Sequence, residues 1–489
     1  SPLKATAEEP YGGGLDVSVA DAQAIETYSD TDRWTGSVTM QFNPLPNFTH
    51  KATLGADVVS DQKTRNLPFG RYYTYIGTTG ERNIGYRNAR KFTGDYLGNL
   101  DYEDLLGISG SLAFGAQGYW DISSTSMATG QDFAGEGVTT VGGAARTYGD
   151  EGFVEEINIG FFAQNRLDLG DLFVTTAVRV DGNSAFGENY GFQVYPKADM
   201  AYNIPDGMLP GLVSSAKLRA AIGMAGKAPG AFAQFQTYVP NTVLDDQAGV
   251  SPSNPGNDKL EPENKLEYEI GGDFGLFGNR VGLDVTYWNA TTQNALLGIA
   301  VPPSEGFSSS KLQNVGEILN RGLEVSMNTT VIDRGDLRWN VGVNYEWNHN
   351  EILDLGATAI DDSLPNYGAC AETLTCTAAD ASSPESWTYY KRLGGNWVGL
   401  PIGQIITRQI IGWDATNRTH IRSTYSTLQG DFAPDHMGSI FSDIALGQSL
   451  RLNVQFRGEW GASMGNSDRG YGVRQLAYDE YISQLAPDG

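Results

Sequence analysis

Arg280-Val281-Gly282-Leu283-Asp284-Val285-Thr286-Tyr287-Trp288-Asn289 is the stretch whose reading decides the fold. Val281, Leu283, Val285 and Tyr287 fall on one face of an extended chain, and Gly282, Asp284, Thr286 and Trp288 on the other. Side chains alternate faces along a strand, so one side is apolar and the other polar. The pattern recurs in Leu323, Val325, Met327, Thr329 and Val331 against Glu324, Ser326, Asn328 and Thr330. It recurs again in Leu337, Trp339, Val341, Val343, Tyr345 and Trp347 against Arg338, Asn340, Gly342, Asn344, Glu346 and Asn348. The short connector Ile332-Asp333-Arg334-Gly335-Asp336 between the last two segments is a hairpin signal. Such strands suit a soluble sandwich with the apolar face inward, or an outer-membrane barrel with that face in lipid and the polar face lining a lumen.

Working outward, no Pro- or Ser-rich linker divides the 489 residues, so one large β architecture is more economical than several domains. Gly (61) and Tyr (24) are abundant, as in large barrels with aromatic girdles. No apolar run is long enough for a transmembrane helix, which says nothing against a barrel whose strands are half apolar. A net charge of −25 argues against a nucleic-acid partner, since phosphate binding needs clustered Lys and Arg. That charge reads as a solvated acidic surface, or as loops or a lumen that steer polar solutes. Cys370 and Cys376 sit close together in a polar, turn-rich stretch. A loop disulfide in an oxidising compartment is the preferred reading; a metal site lacks further Cys or a nearby His.

Residues 1–33 and 463–489 read as loops or frayed ends, and 34–462 as the β region. Strands are expected from Trp34 to Asn43, Thr49 to Asp61, then near 92–104, 110–122, 157–164, 174–181, 191–203 and 216–226. Beyond the segments already quoted, others are expected at Tyr268–Phe274, near 402–412, and in a last hairpin near 437–446 and 450–461. Long connections are expected over about 62–91, 123–152, 227–261, 297–312 and 352–400. The total is about fourteen or fifteen strands, with turns alternating short and long. A sandwich has no reason to gather its long loops at one end, whereas a barrel has short periplasmic turns and long extracellular loops. Charged Arg179, Asp181, Glu269, Asp273, Asp284, Glu324, Arg338 and Glu346 occupy the polar face. In a sandwich the opposite faces would need one very long core, which soluble domains rarely sustain. A lipid-facing belt needs no partner sheet, and closure removes edges that lipid would penalise.

Several segments resemble the SusC/RagA-like TonB-linked outer-membrane receptors. They are Asn314-Val315-Gly316-Glu317-Ile318-Leu319-Asn320-Arg321-Gly322-Leu323-Glu324, Leu260-Glu261-Pro262-Glu263 with Glu267-Tyr268-Glu269-Ile270-Gly271, and Val285-Thr286-Tyr287-Trp288-Asn289 with Thr291-Thr292. Pro302-Pro303 before Gly306-Phe307, Phe186 to Phe192, and Leu218-Arg219-Ala220 to Gly223 also match. The resemblance implies an all-β fold: a large antiparallel transmembrane barrel, incomplete in this chain, with about 14–16 strands of a roughly 22-stranded whole. It further implies an N-terminal plug with a TonB-contacting segment ahead of it, and a SusD-like lipoprotein lid. The implied activity is TonB-dependent import of a glycan or peptide across the bacterial outer membrane. These residues contain no plug, no TonB box and no closing strand, and Ser1-Pro2-Leu3-Lys4 opens without a signal peptide, so a longer parent protein is expected.

No catalytic constellation emerges, no cofactor is implied, and the chain does not read as an enzyme. His50, His349, His420 and His436 lack metal-ligand spacing. Glu155 and Glu156 point oppositely along a strand, so they cannot share a site. Asp361-Asp362 reads as a loop solubiliser, with calcium binding as the alternative. The best ligand candidates are aromatics in the long loops: Tyr72, Tyr73, Tyr75, Tyr238, Tyr367, Trp387 and Tyr389. They could stack on sugar rings or peptide side chains; loop packing and lipid-interface girdles are the competing roles. Import of a polar oligomeric nutrient is what the resemblance implies. The rivals are a structural barrel anchoring a surface assembly, a siderophore or cofactor receptor, and a soluble β-rich glycan hydrolase with two inward carboxylates.

Overall fold

Period-2 alternation becomes hydrogen-bonded pairing in the computed structural model of the chain. It describes residues 19–73, 76–105, 108–186, 191–243, 247–299, 301–307, 309–356, 360–365, 387–393, 396–414 and 419–463. A short helix, α1 (Val19–Gln23), precedes β1 (Glu26–Leu45), β2 (Phe48–Leu67), β3 (Glu81–Leu105), β4 (Ile108–Phe133) and β5 (Ala144–Leu169). Then come β6 (Leu172–Asn183), β7 (Gln193–Asn203), β8 (Val213–Lys227), β9 (Tyr238–Val243), β10 (Gln247–Pro252), β11 (Glu263–Leu276) and β12 (Val281–Ile299). The remainder are β13 (Lys311–Arg334), β14 (Leu337–Asp354), β15 (Ile360–Pro365), β16 (Trp387–Leu393), β17 (Asn396–Trp397), β18 (Gln404–Asp414), β19 (Thr419–Asp431), β20 (His436–Leu446) and β21 (Leu450–Trp460).

Fourteen strands form one antiparallel sheet in the order β1 to β8, β11 to β14, β20, β21. Alternate connections are mostly tight turns, such as Leu45 to Phe48, Leu169 to Leu172, Leu276 to Val281 and Arg334 to Leu337, with a nine-residue connection from Asn203 to Val213 at the same end. The intervening connections are long and lie at the opposite end. The short hairpin β9–β10, the sheet β15–β16–β17 and the pair β18–β19 belong to that end and stand outside the wall.

Which way the apolar face looks settles the architecture. Val38 pairs with Leu54, and the two are 74% and 70% exposed. Trp34, Met40 and Phe42 of β1, Ile157, Ile159 and Phe161 of β5, and Leu452, Val454 and Phe456 of β21 share that exposed side. A soluble sandwich would press these rows against a second sheet; here the buried apolar residues, including Leu67, Phe133, Leu260, Ile352 and Leu355, cluster instead at the long-loop end. The wall is that of a membrane barrel, incomplete in this chain, with β1 and β21 as its two edges.

Several expected loops are strand. β2 continues to Leu67 and β3 begins at Glu81, so the connection expected over 62–91 is far shorter. β4 runs to Phe133 and β5 starts at Ala144, replacing most of the loop expected over 123–152. β1 likewise starts at Glu26, ahead of Trp34. These stretches carry polar residues on both faces, for example Gln62, Lys63, Asn88, Ser123, Ser124 and Glu151. A lipid belt needs about 9–11 residues of each strand, and β4 and β5 have 26. Beyond the lipid both faces meet water, so the alternation vanishes while the backbone ladder persists. The segment expected near 402–412 is β18, which pairs with β19 and not with the wall.

Candidate functional site

The concave, polar face is the first part of the site. Reading across β2, β3, β4 and β5, Asp57, Lys91, Asp121 and Glu156 lie in one register row. Arg33 grips Asp57 with two bonds of 2.9 and 2.5 Å, and Thr35 donates to the same carboxylate at 3.0 Å. Lys91 reaches Asp121 at 3.0 Å and lies 4.4 Å over the Tyr119 ring. Further round the wall, Arg219 bridges Asp273 at 3.0 Å and Asp284 at 2.6 Å, and Lys217 also meets Asp273 at 2.5 Å. Asp273 and Asp284 are directly opposite on β11 and β12, so the guanidinium separates two like charges. A face built this way holds water and hydrogen-bonds polar solutes.

The second part is the rim. Where β12 bulges, pairing with β13 breaks between Thr292 and Ala295, and Asn294 takes φ +57°. A bulge leaves backbone groups without ladder partners. Side chains supply them here. Asn314 Nδ2 donates to the carbonyls of Asn294 (3.0 Å) and Glu261 (2.8 Å), and its Oδ1 accepts from the Glu261 N–H (2.9 Å). Asn294 Nδ2 donates to Glu261 Oε2 (3.1 Å), and Glu263 Oε1 accepts from Leu296 N (2.8 Å). Leu260 is 0% exposed beneath this latch, and a Cβ on Gly316 would stand 2.9 Å from Ala295 Cβ. The most specific family-like motifs, Leu260-Glu261-Pro262-Glu263 and Asn314-Val315-Gly316, therefore hold each other.

From the latch hangs an arm formed by the connections β8–β11 and β12–β13. Asn254 Nδ2 faces the carbonyls of Phe232, Ala233 and Phe235 at 3.4, 3.3 and 2.9 Å. Its own carbonyl oxygen accepts from Thr237 N at 3.0 Å. Gly256 follows with φ +68°, and a Cβ there would meet Gln236 N at 2.5 Å. Asn257 Nδ2 ties the arm to the Leu312 carbonyl at 2.9 Å, and Ser309 Oγ donates to the Ser253 carbonyl. Two ring pairs sit on it: Phe232 with Phe235 at 6.5 Å, and Tyr238 with Phe307 at 6.4 Å.

The aromatics singled out from sequence scatter. Tyr238 is 51% exposed on the arm, and its hydroxyl accepts from Gln236 Nε2 at 3.0 Å. Tyr72 is exposed in the β2–β3 connection, whereas the adjacent Tyr73 is 4% exposed and locked by reciprocal backbone bonds of 2.8 Å with Gly77. Burial pushes the Tyr73 hydroxyl above the ordinary phenol range. Trp387 and Tyr389 lie on β16, opposite Pro365 and Ser363 of β15. Tyr75, Tyr367, Cys370 and Cys376 lie outside the described residues. Three histidines join aromatic contacts on the outer face: His50 with Tyr96 and His436 with Tyr345, each 2.8 Å to the hydroxyl, and His349 over Trp347 at 6.3 Å. Phe232 and Phe235 escaped the sequence reading; their signal was an aromatic run interleaved with amides between Pro229 and Pro240.

With this geometry in view, comparison with known proteins is direct. A family model described as TonB dependent receptor-like, beta-barrel matches residues 6–454. TonB-dependent receptor P39 of Formosa agariphila is 25% identical over 330 residues, covering 63% of this chain and 30% of the relative. TonB-dependent receptor SusC of Bacteroides thetaiotaomicron is 27% identical over 217 residues, covering 42% of this chain and 21% of SusC. The solved structure of the RagAB peptide transporter superposes with a TM-score of 0.75 at 18% identity, covering 92% of this chain and 50% of that one. The chain thus spans about half of that solved chain and under a third of these two curated relatives. It belongs to the TonB-dependent receptor-like β-barrel family, as an outer-membrane barrel wall of the SusC/RagA-like kind.

Proposed function

We propose that this wall belongs to an importer that takes a polar oligomeric nutrient, a glycan or a peptide, through the outer membrane at the expense of TonB. The observation that carries the reading is the inward face: paired charges and amides laid row on row behind an outward apolar belt. Such a lining replaces water around a hydroxyl- or amide-rich solute without stripping it into an apolar site. In this reading a plug fills the lumen, the TonB complex moves it, and a SusD-like lipoprotein closes the outer mouth. Tyr72, Tyr238, Trp387 and Tyr389 are the proposed loop contacts with cargo, as are Tyr75 and Tyr367.

The experiment is uptake of labelled oligosaccharides and oligopeptides by cells carrying the full-length protein, with and without TonB. The expected result is uptake of one class that vanishes when TonB is removed. Uptake that persists unchanged without TonB, or is absent for both classes, would instead favour a barrel that only anchors a surface assembly.

A further inference from the structure

Arg321 stands on the lipid side of the wall. Along Asn320-Arg321-Gly322-Leu323-Glu324 alternate residues face opposite ways, so Gly322 and Glu324 line the lumen while Arg321 shares the outward face with Leu323. It is pinned from within: Asn350 Nδ2 donates to Asn320 Oδ1 at 2.6 Å, and a Cβ on Gly322 would meet the Trp288 indole at 2.7 Å. Asn289 of β12 and His349 of β14 lie directly opposite Arg321, and the next outward row toward the tight turns is Tyr287, Leu323 and Trp347. Arg321 lies 13 steps along β13 from Arg334, where the tight turn begins. At a rise of about 3.3 Å per residue and a tilt near 40° that is roughly 33 Å of height, against a hydrocarbon slab of about 30 Å. The guanidinium therefore sits at headgroup level, at the long-loop end of the belt. Among the described residues it forms no ion pair, and its Nε is enclosed without a hydrogen-bond partner. The Glu351 carboxylate is met instead by His349 Nε2, at 3.4 Å.

We propose that Arg321, with the Asn289 amide beside it, holds the phosphate of an outer-leaflet lipid headgroup. A cation kept without an anion at the edge of lipid is costly, and an anion arriving from outside offsets that cost. The guanidinium fork matches phosphate oxygens two at a time, and the Asn289 amide supplies one more donor on the adjacent strand. Acyl chains below that phosphate continue onto Leu323 and Val325 of the same face. A free phosphate ion would satisfy the same donors, but a site one row above the belt favours a phosphate tethered to acyl chains. Arg90 offers the contrast. It is also outward and exposed, yet it lies between Val58 and Ile122 with no amide beside it. The site is independent of cargo and of TonB.

The test uses the full-length protein in a non-ionic detergent, titrated with diphosphorylated lipid A, with the same lipid stripped of phosphate, and with inorganic phosphate. Bound lipids are counted by native mass spectrometry. Arg321→Gln weakens the tightest diphosphorylated lipid roughly tenfold, and Asn289→Ala about threefold. Arg321→Lys, which keeps the charge and loses the fork, falls between wild type and Arg321→Gln. The phosphate-free lipid does not distinguish wild type from Arg321→Gln, and Arg90→Gln leaves the tightest site intact. Equal affinity in wild type and Arg321→Gln, or an equal loss in Arg90→Gln, overturns the site. Displacement of the lipid by millimolar inorganic phosphate assigns the donors to a free anion and overturns the lipid reading. Arg321→Gln removes an unpartnered cation from the lipid side, so it runs as a folded barrel on unheated gels. If it does not, Arg321→Lys carries the comparison, and wild-type affinity there overturns the fork.

Discussion

Leu54→Arg, set beside Thr53→Arg, tests which side of the wall meets lipid. Leu54 pairs with Val38, the middle of the outward band Trp34–Phe42 on β1, so it lies near the mid-depth of the bilayer. It is 70% exposed, and nothing on the protein shields a charge placed there. Arginine at mid-depth on a barrel's lipid face costs about 2–4 kcal/mol, which is roughly a 30- to 900-fold loss in the folding equilibrium. Thr53 is one residue away and points inward, where its hydroxyl meets that of Thr39 at 3.0 Å. Thr53→Arg loses that bond in a wet, charged lumen and costs about 1 kcal/mol. The assay is urea-dependent folding of the full-length protein into lipid vesicles, with the folded fraction read from its mobility on unheated gels. Equal costs, or a larger cost at Thr53, would refute the outward orientation and with it the membrane assignment.

Arg219→Ala leaves Asp284 without its cation and facing Asp273, which keeps only Lys217, at a cost of about 1 kcal/mol in the same folding assay; adding Asp284→Asn recovers most of it, and no recovery would deny the bridging role. Gly256→Ala forces a side chain into a left-handed backbone against Gln236 N, costing about 1–2 kcal/mol of local stability; deuterium uptake over 232–257 rises, whereas unchanged uptake would contradict the close approach. Burial, and next the Asp435 carboxylate, push the Asp431 carboxyl above its ordinary range, against smaller opposing help from the Ala433 N–H and His349. A raised acid favours the protonated fold, so ionisation destabilises it as pH rises from the ordinary carboxylate range through the raised value. Asp431→Asn should therefore raise the melting temperature at about pH 8 more than at about pH 4; an equal effect at both would disprove that linkage.

The membrane-embedded part of the fold was legible because lipid and lumen impose opposite demands on alternate residues. Val281 to Trp288, Leu323 to Val331 and Leu337 to Trp347 carry that signature without ambiguity, and each is strand as expected. Legibility ended where water bathes both faces. Ser123, Ser124 and Thr125 look like loop in a sequence, yet they continue β4 because backbone pairing needs no apolar residue. The rim site was legible only in part. Tyr238 stood out as a lone aromatic, but Asn294, Asn314 and Glu261 are distant in sequence and share no periodicity; only the bulge in β12 brings their groups together. Tyr72 and Tyr73 show the converse limit. Adjacent and chemically alike, one faces solvent and the other is sealed in by its bridge to Gly77.

The length of β4 and β5 has a mechanical corollary. Twenty-six paired residues span roughly 85 Å along the strand, and a tilt near 40° turns that into a height of about 65 Å. Subtracting the hydrocarbon slab of about 30 Å leaves a parapet standing about 35 Å clear of the acyl chains. Its stiffness comes from cross-strand pairing, so whatever lands on this battlement is held away from the headgroups by sheet and not by tether.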